Sequence, residues 1–359
     1  MSGARDWSPD AGSRMTDHEA LMWNVEKDPW LNPSGGAVFV LDRPIDVERL
    51  RRRMRAAVAG LPRLYQRVQP GLGRLSTPAW VPDPEFDFDH HFRVVGLAGA
   101  GTERDLLDLA ARLYLEPLDR TRPLWRMVVI EGLEGGRGAL WSLVHHSISD
   151  GIGQLRMAEM FQDLEREPPL DDDTDLEAVV AAAVAAHRDK AGGGDLATSL
   201  ASTTAQTAGH LLRRGLGVAR RAAGEVAIWP ADPGRIPDRA GDLAALFHGS
   251  VEPLLATGED AAAGATLWRH RSRHRHLEAV RVPLDRLKAA GRAHGATINE
   301  AFVAVMTHAA VRYHAERDED LDHLTVSFVL STRHDDAAGG NAFTPVPVRL
   351  PAGKLPLAD

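Results

Sequence analysis

The sequence contains no cysteine, which excludes disulfides, thiolate metal sites and cysteine nucleophiles and fits a reducing compartment. It has no excess of positive charge either. The 42 Lys and Arg against 50 Asp and Glu give a formal net charge of -8, so the chain as a whole has no general attraction for nucleic acid or anionic membrane. No apolar run approaches the roughly 20 residues that span a bilayer, and Met1 to Arg14 lacks the apolar core of a secretory signal. We therefore expect a cytoplasmic protein with a disordered start over residues 1–14. Internal repeats are absent too. What remains is ordinary: 44% hydrophobic and 26% charged residues in a chain of 359, enough for a substantial core and two domains.

Hydrophobic spacing predicts a strand at Ala37–Leu41, a helix opened by Asp46, and a half-buried strand where Phe86 and Phe88 alternate with Asp87 and Asp89. Helical spacing returns from Thr102 to Leu115. Two strands follow, Trp125–Glu131 and Ala139–His146, joined by a glycine-rich loop that suits a hairpin, with a helix starting just after Asp150. From about Pro168 to His270 an acidic run leads into Ala-rich segments, a helical connector. Beyond it come a strand-like Leu277–Val282, helices after Leu284 and Ile298, and strands at Thr325–Leu330 and Pro345–Leu350. The pattern predicts an α/β (α+β) protein of two halves.

The chemistry-bearing run is His145-His146-Ser147-Ile148-Ser149-Asp150-Gly151. On a strand, successive side chains point to opposite faces, so His146 shares a face with Val144 and Ser142 while His145 points the other way. Two ligands on opposite faces cannot converge on one ion, so no metal is expected here. One imidazole is left to face a cavity, where it can take a proton from an alcohol at neutral pH. Asp150 and Gly151 shape the turn that follows. The competing reading is structural: two buried histidines and an N-cap Asp.

The block Leu118-Asp119-Arg120-Thr121-Arg122-Pro123-Leu124-Trp125, followed by the hairpin and the His-His-Ser-Ile-Ser-Asp-Gly run, resembles the bacterial wax ester synthase/diacylglycerol acyltransferase family. Further likenesses are Met15-Thr16-Asp17, Leu21-Met22-Trp23, Pro62-Arg63-Leu64, the Trp80 to His91 stretch, Gly295 to Glu300, Ser331-Thr332-Arg333 and Gly340-Asn341. The resemblance implies a chloramphenicol acetyltransferase-like two-domain fold with a tunnel between the halves. It also implies an acyl-CoA-dependent O-acyltransferase making triacylglycerol from diacylglycerol, or wax ester from a long-chain alcohol. His146 would be the general base and Asp150 would complete the motif. His145, Gly151, Asn299, Ser331 and Arg333 would bind substrate or shape the site. Acyl-CoA is then a substrate, and neither cofactor nor metal is called for.

The implied organisation is an N-terminal half over 15–168, a helical linker over 169–270, and a C-terminal half over 271–359 that is short for the family. Glu300 stands where the family has Asp, and Thr297-Ile298-Asn299-Glu300 also reads as a capping box, while Asn299 is a candidate oxyanion donor. Val329 stands where the family has Pro. Leu124 and Trp125 read as packing residues. The basic run from His270 to His276 reads as a solvated face before a phosphate site. A segment with Leu211, Leu212, Arg213 and Arg214 reads as a connector helix before a peripheral contact with a membrane or lipid droplet. A carrier-protein-dependent condensation-type acyltransferase and a non-catalytic lipid-binding relative are the alternatives.

Overall fold

The computed structural model describes residues 14–26, 31–71, 77–149, 151–162, 165–166, 173–190, 267, 272–331 and 343–352. The chain divides into two compact units, one taking in the described residues up to 190 together with 275–277, the other 267, 272–274, 278–331 and 343–352. Both mix helix and strand.

The first unit opens with α1 (Asp17–Val25), capped by Thr16 and Glu19 in a reciprocal capping box. Then come β1 (Ser34–Leu41), α2 (Val47–Gly60, N-capped by Asp46), β2 (Gln66–Gln69), β3 (Ala79–Pro82), α3 (Phe88–His91), β4 (Phe92–Gly96) and α4 (Glu103–Leu115). The hairpin of β5 (Trp125–Leu133) and β6 (Arg137–His145) leads into α5 (Gly151–Phe161) and α6 (Leu176–Lys190). Four strands form one sheet in the order β1-β6-β5-β4, antiparallel except for the parallel β4–β5 pair. β2 and β3 pair separately.

Inward residues of these strands, among them Val128, Ile130, Trp141 and Leu143, share one core with Met54 and Val58 of α2 and Leu106 and Ala110 of α4. α6, within the stretch expected to be a connector, docks here through Leu176 and Val180, and its Glu177 pairs with Arg55 of α2.

The second unit holds α7 (Leu284–Ala293), α8 (Ile298–Ala315) and the antiparallel pair β7 (His323–Ser331) and β8 (Phe343–Pro351). Phe302, Val305 and Met306 of α8 are exposed.

Two predicted strands do not form. Around Phe86 and Phe88 the Asp87 carboxylate accepts the Asp89 amide and starts the short α3, so a local cap overrides the alternation. Leu277–Val282 is irregular, with Val280 and Val282 exposed. Alternation there finds no partner strand among the described residues, and a lone strand leaves its backbone groups unpaired. The proposed disordered start and the Leu211 to Arg214 segment lie outside the described residues, apart from Arg14.

Between β4 and α4 the chain touches the hairpin loop. The Gly101 carbonyl accepts the Glu134 amide at 2.8 Å, and Gly101 sits at φ 73° with its Cα against the Gly132 carbonyl; an added Cβ would lie 2.2 Å from that oxygen. Gly101→Ala therefore meets both a strained backbone and a collision. It should destabilise the protein by about 1–3 kcal/mol, read as a lower urea midpoint with an unchanged slope. An unchanged midpoint would mean that the loop moves aside at no cost.

Candidate active site

β6 ends at His145, one residue earlier than the sequence suggests, and His146 begins a turn. Three backbone bonds hold this chain end: the His145 amide donates to Leu124 O at 3.0 Å, the His146 amide to Pro33 O at 2.8 Å, and the Ile148 amide to His145 O at 2.9 Å. The alternation read from the sequence extends as far as His146, and the rest of the turn, Ser147 to Ser149, is buried throughout. Trp141, Leu143 and His145 are buried, whereas Ser142, Val144 and His146 are half-buried.

His145 is fully buried, and its ring closes the turn. Its Nδ1 accepts the Ser147 amide at 3.0 Å, with the Ser147 hydroxyl 2.7 Å away. A backbone N–H can only donate, so Nδ1 carries the lone pair and Nε2 carries the proton. Nε2 lies 3.5 Å from Glu26 Oε2, at the end of α1. Burial alone would push the Glu26 carboxyl up; the His145 contact and the Arg120 guanidinium outweigh it and hold it below its ordinary value. Arg120 pairs with Glu26, donates to Trp23 O at 2.9 Å and lies 3.5 Å from the centre of the Trp23 ring.

On the His146 face, Gly35 pairs with Val144. The Gln154 amide of α5 occupies the space that a side chain at Gly35 would take, and its Nε2 donates to Ser149 O at 3.3 Å. Gly151 is the first residue of α5, and Asp150 lies outside the described residues. The structure thus brings His145, His146 and Gly151 to one end of the sheet.

In the second unit, Asn299 is exposed in the first turn of α8. Thr297 and Glu300 there form the expected capping box, with the Thr297 amide donating to Glu300 Oε2 at 2.6 Å and the Glu300 amide to Thr297 Oγ1 at 3.2 Å. Ser331 ends β7 opposite Phe343, and Arg333 lies outside the described residues. Arg273 to His276 are all exposed, while His270 and Arg271 lie outside the described residues. Among the described residues no group of three His, Asp or Glu has metal-holding geometry, and no helix is long and apolar enough to cross a membrane.

A further histidine supports this end of the sheet. His91 is buried, its Nδ1–H donates to Trp125 O at 2.8 Å, and its ring stacks on Trp125 at 4.7 Å and on Phe86 at 5.6 Å. The Trp125 indole donates to Leu64 O at 2.7 Å. Leu124 and Trp125 are core residues, as expected. Glu26 and His91 were not among the sequence candidates. The roughly 120 residues of chain between Glu26 and His145 leave no spacing signal, and His91 shows only as one residue of a longer likeness.

Three comparisons with known proteins bear on this geometry. The family model described as the wax ester synthase/diacylglycerol acyltransferase catalytic domain matches residues 15–302. A putative diacylglycerol O-acyltransferase of Mycobacterium tuberculosis H37Rv is 30% identical over 358 residues, covering 97% of this chain and 67% of that protein. A probable diacylglycerol O-acyltransferase of the same organism is 35% identical over 137 residues, 37% of this chain and 51% of that one. Among solved structures, the wax ester synthase/diacylglycerol acyltransferase of Marinobacter aquaeolei VT8 matches with a TM-score of 0.51 at 21% identity, covering 90% of this chain and 68% of that one. The first condensation domain of the calcium-dependent antibiotic synthetase matches with a TM-score of 0.57 at 19% identity, covering 95% and 70%. These structural likenesses establish an α/β two-domain fold.

The buried His91 ring titrates in a way that stability can report. Burial lowers its pKa from 6.5 to about 4, against the smaller opposing effect of the Trp125 carbonyl. Between these values the unfolded chain binds more protons than the folded one, so this stabilisation is full above about 6.5 and is lost as pH falls toward 4, by about 3 kcal/mol. Protonation of Glu26, whose carboxyl is also depressed, adds to the loss only below about 4.5. His91→Phe keeps the stacking and removes the proton site. Its urea midpoint should therefore vary less than that of the wild type between pH 6.5 and 4.5; parallel slopes would place the pH dependence elsewhere.

Proposed function

The chain belongs to the wax ester synthase/diacylglycerol acyltransferase family and is an acyltransferase; from that premise we propose that it moves a long-chain acyl group from acyl-CoA to diacylglycerol or a long-chain alcohol, with His146 as general base. The observation that carries the reading is the division of labour between the paired histidines. Both the ring and the backbone of His145 are committed to the turn, which leaves His146 on the opposite, less buried face.

In this mechanism the His146 imidazole accepts the proton of the acceptor hydroxyl as that oxygen attacks the thioester carbonyl. The tetrahedral intermediate collapses with cleavage of the carbon–sulfur bond, and the imidazolium returns its proton to the departing CoA thiolate. No acyl-enzyme forms. A base of this kind contributes about 10² to 10⁴-fold in rate, so holding both substrates in line supplies much of the remainder. Family likeness gives Asp150 and Gly151 the part of shaping the turn after the base. Family likeness assigns Asn299, Ser331 and Arg333 to the site wall, with Asn299 a candidate donor to the oxyanion. Contact with a membrane or lipid-droplet surface would bring the acceptor within reach.

The assay supplies labelled palmitoyl-CoA with hexadecanol or diolein and no carrier protein, and looks for ester. Ester formation supports this reading over a carrier-dependent condensation reaction; ligand-induced stabilisation without product supports a lipid-binding protein instead. Among variants, His146→Ala should abolish ester formation with little change in thermal midpoint. His145→Ala should instead lower stability by about 1–3 kcal/mol, because it leaves a cavity and strands the Ser147 amide. A His146→Ala variant that still turns over would remove His146 from the mechanism.

A further inference from the structure

The turn that presents His146 depends on the orientation of one ring. Rotating the His145 imidazole by half a turn about Cβ–Cγ would put a carbon where Nδ1 now accepts the Ser147 amide at 3.0 Å. Moving the ring proton from Nε2 to Nδ1 would set two donors against each other. Either change strands a buried amide. Glu26 bears on both, because its Oε2 lies 3.5 Å from Nε2 on the far side of the ring. An ionised carboxylate only accepts, so its charge favours a proton at Nε2 over a lone pair there and thereby leaves Nδ1 to accept.

Glu26 is itself held. Arg120 pairs with it, donates to Trp23 O at 2.9 Å and covers the Trp23 ring, which meets His145 edge-on with centroids 6.4 Å apart. We propose that Glu26 is a positioning residue: acting through the His145 ring, it fixes the His145–Ile148 turn and so the placement of the His146 base. This rests on the assignment of His146 above. It assigns Glu26 no contact with substrate, because Glu26 meets the fully buried His145 ring.

The role asked of Glu26 is that of an acceptor, so it should be restored by any side chain that offers an oxygen at the same reach. Glu26→Met removes the acceptor at nearly constant length, and Glu26→Gln keeps one carbonyl oxygen. With palmitoyl-CoA and hexadecanol, the Met variant should lose about 10- to 100-fold in kcat, the range expected when a base is displaced by a fraction of an ångström. KM for both substrates should stay unchanged, and Gln should recover most of kcat. In ¹⁵N-histidine-labelled protein, the His145 signal should report protonated Nε2 in the wild type and the Gln variant, and a mixture of tautomers in the Met variant. The Ser147 amide should exchange faster in that variant.

Glu177→Gln, which loses only the surface pair with Arg55, controls for general destabilisation and should keep full kcat. Should the Met variant fail to fold, Glu26→Asp, which withdraws the carboxylate by one bond, is read the same way. Wild-type kcat with a wild-type ring signal in the Met or Asp variant would overturn the proposal, as would a loss confined to KM. If the wild type makes no ester, the acyl-transfer reading fails, and the ring signal and Ser147 exchange still decide the role of Glu26.

Discussion

Two adjacent histidines at the end of a strand cannot share an environment, and that constraint organises this end of the first unit. Strand alternation sends His145 into the core and His146 to the other face. Burying an imidazole without partners costs several kcal/mol on transfer scales, so the surroundings of the two ring nitrogens decide how it sits. Ser147 bonds one nitrogen from two residues away, and the Glu26 carboxylate lies 3.5 Å from the other, at the far end of α1. The local partner makes the turn; the distant one ties the turn to the rest of the unit. Burial of one histidine thus becomes the means of placing its neighbour.

The same division separates what was legible in the sequence from what was not. Asp46, Thr102 and Thr297 announce their helices because a cap is a bond between residues three apart, written locally. The β5–β6 hairpin is legible for the same reason, in its glycines. Phe86 and Phe88 mislead because two apolar residues at even spacing fit a strand, while the side chain of Asp87 decides for a helical turn. Leu277–Val282 misleads differently: alternation specifies a face, but a strand also needs a neighbour. In the site, the opposite orientations of the two histidines follow from period two alone. Glu26, Arg120 and His91 are tertiary partners, and no spacing could have revealed them.

Family likeness and physical reading meet at Glu300, where the family has Asp. Glu300 reaches back to the Thr297 amide while its own amide bonds the Thr297 hydroxyl, and these contacts hold its carboxyl below the ordinary value. An acidic residue at this position closes the reciprocal box, as Asp105 does with Thr102 at the start of α4. Glu300 is thereby occupied with starting α8, and its replacement of Asp is consistent with a structural use of that position. Its neighbour Asn299, exposed on the first turn of the same helix, carries no such commitment.

The N-terminal helix gathers these dependences. Glu19 and Glu26 are seven residues apart, nearly two full turns, and so fall on one side of α1. Glu19 spends one oxygen on the Thr16 amide at 2.7 Å and lies 3.5 Å from the buried Arg63 guanidinium through the other. Desolvation lowers the pKa of Arg63 to about 10 despite that carboxylate. The guanidinium stays charged at neutral pH, and beneath it lies the Trp80 ring at 4.6 Å. A buried cation without its carboxylate would be costly, so α1 is locked in place from its first turn. Between the two glutamates, Met22 and Trp23 are buried. A helix of nine residues would be marginal alone. Anchored by Glu19 at one end and packed along its middle, it can hold Glu26 at the other end still enough to orient a ring more than a hundred residues away in sequence.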